Sequence, residues 1–172
     1  MLFVGINPSL SSAALGHHFA GPGNPFWRLL HAAKLVPEPI THADDARLPE
    51  WRLALTNIVA RATREAAELS RAEFDAGRRR LARVIARVRP EIVAFVGSTV
   101  YRAFFGPGVS GGAGPKPERI GDARVFVLPN PSGRNAVYPG FRDKLVWFRK
   151  LASQVARMER EARASTDVVS GR

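Results

Sequence analysis

The sequence contains no cysteine and no long apolar run. Without cysteine, the chain has no disulfide framework, no thiolate nucleophile and no cysteine-ligated zinc or iron–sulfur site. No apolar run approaches the ~20 residues that a membrane-spanning helix requires. Residues 1–5 also lack the basic segment and the long apolar segment of a signal peptide. We therefore expect a cytoplasmic protein that makes no contact with a membrane.

Lysine and acidic residues are scarce beside arginine. The chain has 26 lysine and arginine residues against 15 aspartate and glutamate residues, which gives a formal net charge of +11. A chain this basic attracts polyanions, and the guanidinium group suits phosphate because it can bind two oxygens at once. The charge favours a nucleic-acid partner and association with the nucleoid. Biased codon usage is the alternative explanation, because the chain is also rich in alanine and glycine.

Short apolar runs predict buried strands with helices between them. The runs cover residues 2–6, 91–97 and 124–128, with a weaker candidate at 53–59. They are continuously apolar, which is typical of parallel strands covered on both faces. Apolar residues at helical spacing predict helices at 26–33, 81–88 and 145–155. This alternation predicts a three-layer α/β/α domain with a short, mostly parallel central sheet.

The 172 residues suit one domain, to which we assign residues 1–160. Residues 161–172 are polar or small, and we expect a loose tail there. Residues 106–111 spell a dinucleotide-binding glycine pattern, but it neither directly follows a strand nor opens a helix. We interpret residues 106–117 as a mobile loop. The arginines at 78–80 are interpreted as the solvated face of a helix, with a nuclear-import or nucleic-acid-binding patch as the alternative.

Two strands end in an Asn-Pro turn, Asn7-Pro8 and Asn130-Pro131. Because ligands bind at the carboxyl ends of parallel strands, both turns are expected to face one site. The Asn7 amide offers one acceptor and two donors and cannot ionise, so it can hold a water but is a poor base. Capping the turn is its alternative role. Ser132 and Arg134 in the second loop could contact DNA, or the loop could be a solvated connection.

Four blocks in this sequence resemble the mismatch-specific uracil/thymine-DNA glycosylases, a branch of the uracil-DNA glycosylase superfamily. The blocks are Gly5-Ile6-Asn7-Pro8, residues 16–27 (Gly-His-His-Phe-Ala-Gly-Pro-Gly-Asn-Pro-Phe-Trp), Thr56-Asn57-Ile58-Val59 and Asn130-Pro131-Ser132-Gly133. The resemblance runs from about residue 2 to 152 and implies the fold of that superfamily. The block at 16–27 is the most specific of the four.

The resemblance implies a role for each matching residue. Asn7 matches the asparagine that positions the attacking water, and Phe19 matches the aromatic on which the extruded base stacks. Arg134 matches a wedge that fills the vacated place in the duplex, and Ser132 matches a contact to the flanking phosphate. The implied base-binding residues are Ile6, His18, Phe19 and Asn57, and the implied DNA-binding residues are Asn130, Ser132, Gly133, Arg134 and Asn135.

The implied activity is that of a monofunctional DNA glycosylase. It would flip out uracil, with thymine or damaged pyrimidines as further substrates, from mispairs with guanine and hydrolyse the N-glycosidic bond, which initiates base excision repair. The partner would be double-stranded DNA with G·U or G·T mispairs, and we expect a monomer. Neither Lys116 nor Lys144 lies in a motif, so no lysine nucleophile is expected. We expect no cofactor and no metal, because the four histidines lack metal-site spacing.

Two other functions stay open, and the first of them rests on a departure from the family's motif. The family usually has glycine after the Asn-Pro pair, whereas this chain has Ser9. A side chain there could narrow the base pocket or shift the water. The alternatives are a non-catalytic binder of mismatched or abasic DNA, and an α/β module that binds a free nucleotide.

Overall fold

The computed structural model describes residues 1–132 and 135–170, with side chains described as far as residue 165. Its strands form one five-stranded sheet in the order β2-β1-β3-β5-β4. The strands are β1 Leu2–Gly5, β2 Ala54–Asn57, β3 Ile92–Val96, β4 Gly114–Ile120 and β5 Ala123–Leu128. Only the β4–β5 pair is antiparallel among these strands. The predicted short, mostly parallel sheet is confirmed.

Helices cover both faces of the sheet. The helices are α1 Leu10–Leu15, α2 Phe26–Ala32, α3 Arg71–Val88, α4 Ser98–Phe105 and α5 Phe141–Ser170, with 3₁₀ segments at His42–Trp51 and Ala66–Glu68. One apolar cluster lies between the sheet and α2, α5 and the first 3₁₀ segment. A second cluster lies between the other face of the sheet and α3 and α4. The molecule therefore has the three predicted layers.

The continuous apolar runs follow from burial on both faces of the sheet. Phe3 points into the first cluster and Val4 into the second, and both are fully buried. On β3, Ala94 belongs to the first cluster and Phe95 to the second. Successive residues of a strand point to opposite faces, so neither face tolerates a polar residue here. Fully burying each large apolar side chain contributes about 1.5–3 kcal/mol.

The prediction of a loose tail from residue 161 is wrong for the residues described as helix. Helix α5 continues to Ser170. Residues 159–164 read Glu-Arg-Glu-Ala-Arg-Ala, all strong helix formers. Glu161 pairs with Arg157 at 3.6 Å in i,i+4 spacing and with Arg124 at 3.8 Å. Helix propensity therefore outweighs the lack of apolar residues.

No helix in the described part of the chain is apolar enough over sufficient length to cross a membrane.

The predicted loop at 106–117 is also partly wrong, because its last residues begin strand β4. Pro115 and Pro117 argue against a strand in the sequence. Strand β4 lies at the sheet edge, where a proline that cannot donate to a neighbour does little harm. The pairing with β5 shifts register between Lys116 and Arg119, an irregularity that also suits an edge.

Candidate functional site

A cavity of about 380 Å³ opens at the carboxyl edge of the sheet. The ends of β1 and β2 form its floor, where Gly5 and Asn57 are paired neighbours. The candidate residues that line it are Ile6, Asn7, His18, Phe19, Asn57, Asn130 and Ser132. Of the remaining candidates, Asn135 does not line this cavity, and Gly133 and Arg134 lie outside the described residues. The cavity thus brings together side chains separated by more than 100 residues of sequence.

Hydrogen bonds fix the orientation of the Asn7 amide. Its Nδ2 donates to the main-chain oxygen of Arg61 at 2.9 Å and to Oγ1 of Thr63 at 2.7 Å. A main-chain carbonyl can only accept, so the atom that faces Arg61 must be the nitrogen. The two N–H groups of the amide are then both used. Its Oδ1 accepts no hydrogen bond from the residues that the structure describes, so this oxygen can accept one from a water.

Thr63 completes this arrangement, and the motifs did not reveal it. Its side chain is only 4% exposed, and its main-chain N–H donates to the oxygen of Pro8 at 3.3 Å. The hydroxyl donates to the oxygen of Glu65 at 2.8 Å, so a lone pair remains to accept from Asn7. A parallel bridge between Ser9 and Thr63 joins the two loops. Thr63 follows β2 in the chain, so the closeness of the ends of β1 and β2 is the signal that could have indicated its contact with Asn7.

Arg61 is held in place by its own ion pair. Its guanidinium group donates to both oxygens of Glu73, at 2.6 and 3.1 Å, and to the oxygen of Glu68 at 2.9 Å. The hydrogen bond from Arg61 lowers the pKa of Glu73 to about 2, helped by hydrogen bonds from Ser70. This clamp ties the carbonyl that accepts from Asn7 to the start of α3.

Replacing Thr63 with valine keeps the shape of the side chain and removes the acceptor for Asn7. A buried donor left without a partner costs about 1–3 kcal/mol. For the uracil excision that the resemblance implies, we expect the single-turnover rate to fall by about tenfold or more, since 1.4 kcal/mol is a factor of ten. Thr63→Ser, which keeps the hydroxyl, should retain most of the rate. Equal rates for wild type and Thr63→Val would contradict the role assigned to Thr63.

Phe19 provides a flat apolar wall. Its ring stacks on the buried ring of Phe26, with centroids 4.0 Å apart and planes 21° apart. One face of the Phe19 ring is therefore packed against Phe26, and the ring also lines the cavity. Opposite it, Gly5 has no side chain: a Cβ there would overlap Oδ1 of Asn57 and lie 3.4 Å from Cζ of Phe19. Glycine at this position therefore leaves room for the Asn57 amide beside the Phe19 ring.

If Phe19 is the base platform that the resemblance implies, replacing it with alanine should weaken binding of DNA that contains a flipped pyrimidine. A base stacked on an aromatic side chain loses about 1–3 kcal/mol on alanine substitution, a factor of about 5–150 in affinity. Phe19→Tyr, which keeps the ring, serves as the matched control. The measurement is a titration of each variant with a G·U duplex at fixed salt. An unchanged affinity in Phe19→Ala would exclude the ring as the base platform.

His18 presents a neutral side chain to the cavity. Burial lowers its pKa below the ordinary value, which leaves the imidazole uncharged at pH 7. Its main-chain oxygen accepts from Nε1 of Trp27 at 3.1 Å. A neutral ring beside the cavity adds no positive charge that would repel Arg64, which also lines it.

Asn57 is fixed by a side chain that the sequence pattern assigned to solvent. The Nη2 atom of Arg80 donates to the main-chain oxygen of Asn57, and it lies 3.4 Å from the oxygen of Ile58. The interpretation of residues 78–80 as a solvated face is therefore wrong for Arg80, which is half-buried. Gly77 permits this contact, because a Cβ at Gly77 would overlap the oxygen of Ile58.

The second Asn-Pro loop is held by its own asparagines. Oδ1 of Asn130 accepts from the N–H of Ser132 at 2.9 Å. Nδ2 of Asn135 donates to the oxygen of Asn130 at 3.1 Å, and its Oδ1 accepts from the N–H groups of Val137 and Tyr138 at 3.1 and 3.2 Å. The Asn135 side chain thus shapes the loop from within. Asn130 and Ser132 turn toward the cavity.

Ser9 caps helix α1. Its Oγ accepts from the N–H of Ser12 at 3.1 Å and lies 3.0 Å from the Ser12 hydroxyl. The residue touches the cavity but is exposed at its rim. A serine here therefore caps the N-terminus of helix α1.

The described lining of the cavity contains neither a lysine nor a carboxylate. Among the residues that the structure describes, no lysine, aspartate or glutamate lines it. Lys144 is 2% exposed and donates to the oxygen of Pro139 at 3.2 Å, and Lys116 donates to the oxygens of Ser110 and Gly111. Within the described ranges, no group of three histidine or acidic side chains could hold a metal ion. The groups that the described lining offers for chemistry are amides, hydroxyls, the imidazoles of His17 and His18, and the guanidinium group of Arg64.

Sequence comparisons find one matching family and a similar protein. The family model of the Uracil DNA glycosylase superfamily matches residues 1–153. A G/U mismatch-specific uracil DNA glycosylase from Schizosaccharomyces pombe (strain 972) is 34% identical in an alignment 156 positions long, and the match covers 85% of this chain and 48% of that protein. The chain spans about half the length of this curated relative.

Proposed function

This chain belongs to the uracil DNA glycosylase superfamily, and from that premise we propose that it is a monofunctional DNA glycosylase. The substrate we propose is uracil mispaired with guanine in double-stranded DNA, with thymine in G·T mispairs as a further substrate. One observation carries the proposal: an oriented amide, Asn7, and a supported aromatic wall, Phe19, line the same cavity. The wider proposal is a monomer that acts on nucleoid DNA in the cytoplasm.

Base flipping is the first step that the cavity supports. A base inside the duplex hides its glycosidic bond, and taking it out costs a few kcal/mol, least for a mispaired base. The everted pyrimidine would stack against Phe19 above Gly5, with its polar edge toward Asn57. Arg64 at the cavity and the overall charge of +11 would hold the phosphates.

Hydrolysis needs a water and stabilisation of the departing base. As the bond breaks, positive charge develops on the sugar and negative charge on the pyrimidine. Oδ1 of Asn7 would accept a hydrogen bond from the water and direct its oxygen toward the sugar, while the amide of Asn57 and main-chain N–H groups face the leaving base. Because no carboxylate lines the described cavity, no carboxylate is placed to take a proton from the water, and we expect a slow enzyme.

The absence of lysine from the described cavity lining supports a monofunctional reaction. A glycosylase that also cuts the strand through an amine forms a Schiff base with the sugar. With water as the nucleophile, the product is free uracil and an intact strand with an abasic site.

The test is a duplex with one G·U pair, incubated with the protein and then treated with alkali. We expect uracil release and strand cleavage only after alkali, with no product from a G·C duplex. Binding should weaken steeply as salt rises. A gel shift without cleavage would instead support a non-catalytic DNA binder, and neither binding nor cleavage would favour a free-nucleotide module.

A further inference from the structure

Asp45 connects the first 3₁₀ segment to the loop that carries Phe19. Its side chain is 15% exposed and does not line the cavity. Oδ1 lies 3.0 Å from Nδ1 of His17, and Oδ2 accepts from the main-chain N–H of His18 at 3.2 Å. The two oxygens of one carboxylate thus hold two consecutive residues of the loop.

The loop needs such support because Phe19 has a strained backbone. Its φ angle is +50°, in the left-handed region that side chains larger than glycine rarely adopt. Strained residues persist only where the surroundings over-determine them. Before Phe19, the Asp45 carboxylate and Trp27 hold the His18 peptide groups. After it, the N–H of Ala20 donates to Oγ of Ser12 at 3.1 Å.

We propose that Asp45 is a positioning residue for the base site, a role that rests on the proposed function. Its carboxylate fixes the His17–His18 segment so that the Phe19 ring stays in place beside the flipped base. A carboxylate suits this role because both of its oxygens accept, whereas a carboxamide has only one acceptor. Asp45→Asn should therefore keep one of the two bonds, and Asp45→Ala neither.

The neighbouring Asp44 offers a matched control, because it supports the 3₁₀ segment itself. Its Oδ2 accepts from the N–H and hydroxyl of Thr41 at 2.9 and 3.1 Å, and Oδ1 lies 3.8 Å from Arg47. These contacts cap the segment and do not touch the cavity. If Asp45 merely stabilised the segment, the two alanine variants would behave alike.

The experiment compares wild type, Asp45→Ala, Asp45→Asn and Asp44→Ala by single-turnover excision from a G·U duplex at several protein concentrations. We expect the half-saturating concentration to rise by about tenfold in Asp45→Ala, the effect of losing hydrogen bonds to a charged group. Asp45→Asn should be intermediate. Asp44→Ala should match wild type in excision and lower the melting temperature.

Amide hydrogen exchange at His18 and Phe19 separates this inference from the proposed function. We expect exchange about tenfold faster in Asp45→Ala than in Asp44→Ala, whether or not the protein is active. If wild type excises uracil but both alanine variants behave alike in excision and exchange, the role of Asp45 is overturned and the function stands. If wild type is inactive, the proposed function fails. In that case the exchange rates alone test the role of Asp45. Faster exchange at His18 and Phe19 in Asp45→Ala than in Asp44→Ala supports the positioning role, and equal exchange in the two variants overturns it.

Discussion

Replacing Asn7 with alanine should lower the single-turnover rate of uracil excision by about 10²–10⁴-fold, the range for losing a positioned polar group in a transition state. The amide is the one group in the described cavity whose donors are anchored, to Arg61 and Thr63, and whose oxygen remains to orient a water. Alanine removes the oxygen but leaves Phe19 and Asn57 in place. Affinity for a G·U duplex should therefore change far less than the rate.

The control for this variant is Ser11→Ala, an exposed change on the neighbouring helix α1. It should excise uracil at the wild-type rate. Melting curves of both variants show whether the fold is intact. If Asn7→Ala retained the wild-type rate, water would have to be positioned by another group, and the mechanism proposed for this cavity would be wrong.

Replacing Gly77 with alanine should destabilise the protein, although alanine is the better helix former. Propensity alone predicts that alanine stabilises a helix interior by about 1 kcal/mol relative to glycine. Here a Cβ would overlap the main-chain oxygen of the fully buried Ile58. Helix α3 would have to move away from β2, which costs packing and the hydrogen bonds of Arg80 to the Asn57 and Ile58 oxygens. We expect a net loss of about 2–3 kcal/mol.

Thermal or urea unfolding measures this loss, with about 2–4 °C in melting temperature for each kcal/mol in a chain of this size. Ala76→Gly, at the exposed position next to it, calibrates propensity and should cost about 1 kcal/mol. A Gly77→Ala protein more stable than wild type would show that α3 does not approach β2 this closely.

Local rules predicted those parts of the fold in which neighbours in sequence determine the structure. Ser70 and Glu73, three residues apart, form a capping box at the start of α3. Helix α3 ends at Val88, and Arg89 adopts the left-handed conformation before Pro90. The buried strands were evident because covering both faces requires continuous apolar residues. Strand β4 was not evident, since its pairing with β5 is a tertiary contact and its prolines argue against a strand.

In the candidate site too, some residues could be predicted from local sequence, whereas others depend on tertiary contacts. The motifs indicated Asn7 and Phe19, and the parallel arrangement of β1 and β2 explains why Asn57 lies beside them. Thr63, Asp45 and Arg80 carry no motif, because each acts through a single contact between elements far apart in sequence. Such contacts depend on the packing of loops and helices around the sheet. The periodicity of a single sequence does not record them.

A crystal structure of the protein with a duplex that bears 2′-fluoro-2′-deoxyuridine opposite guanine tests the central claim most directly. Fluorine beside the glycosidic bond destabilises positive charge on the sugar, so the uncut substrate persists. We predict that the uracil ring is everted against Phe19 and that a water bonded to Oδ1 of Asn7 lies within reach of C1′. Uracil still stacked in the duplex, or a water held by some other group, would contradict the account.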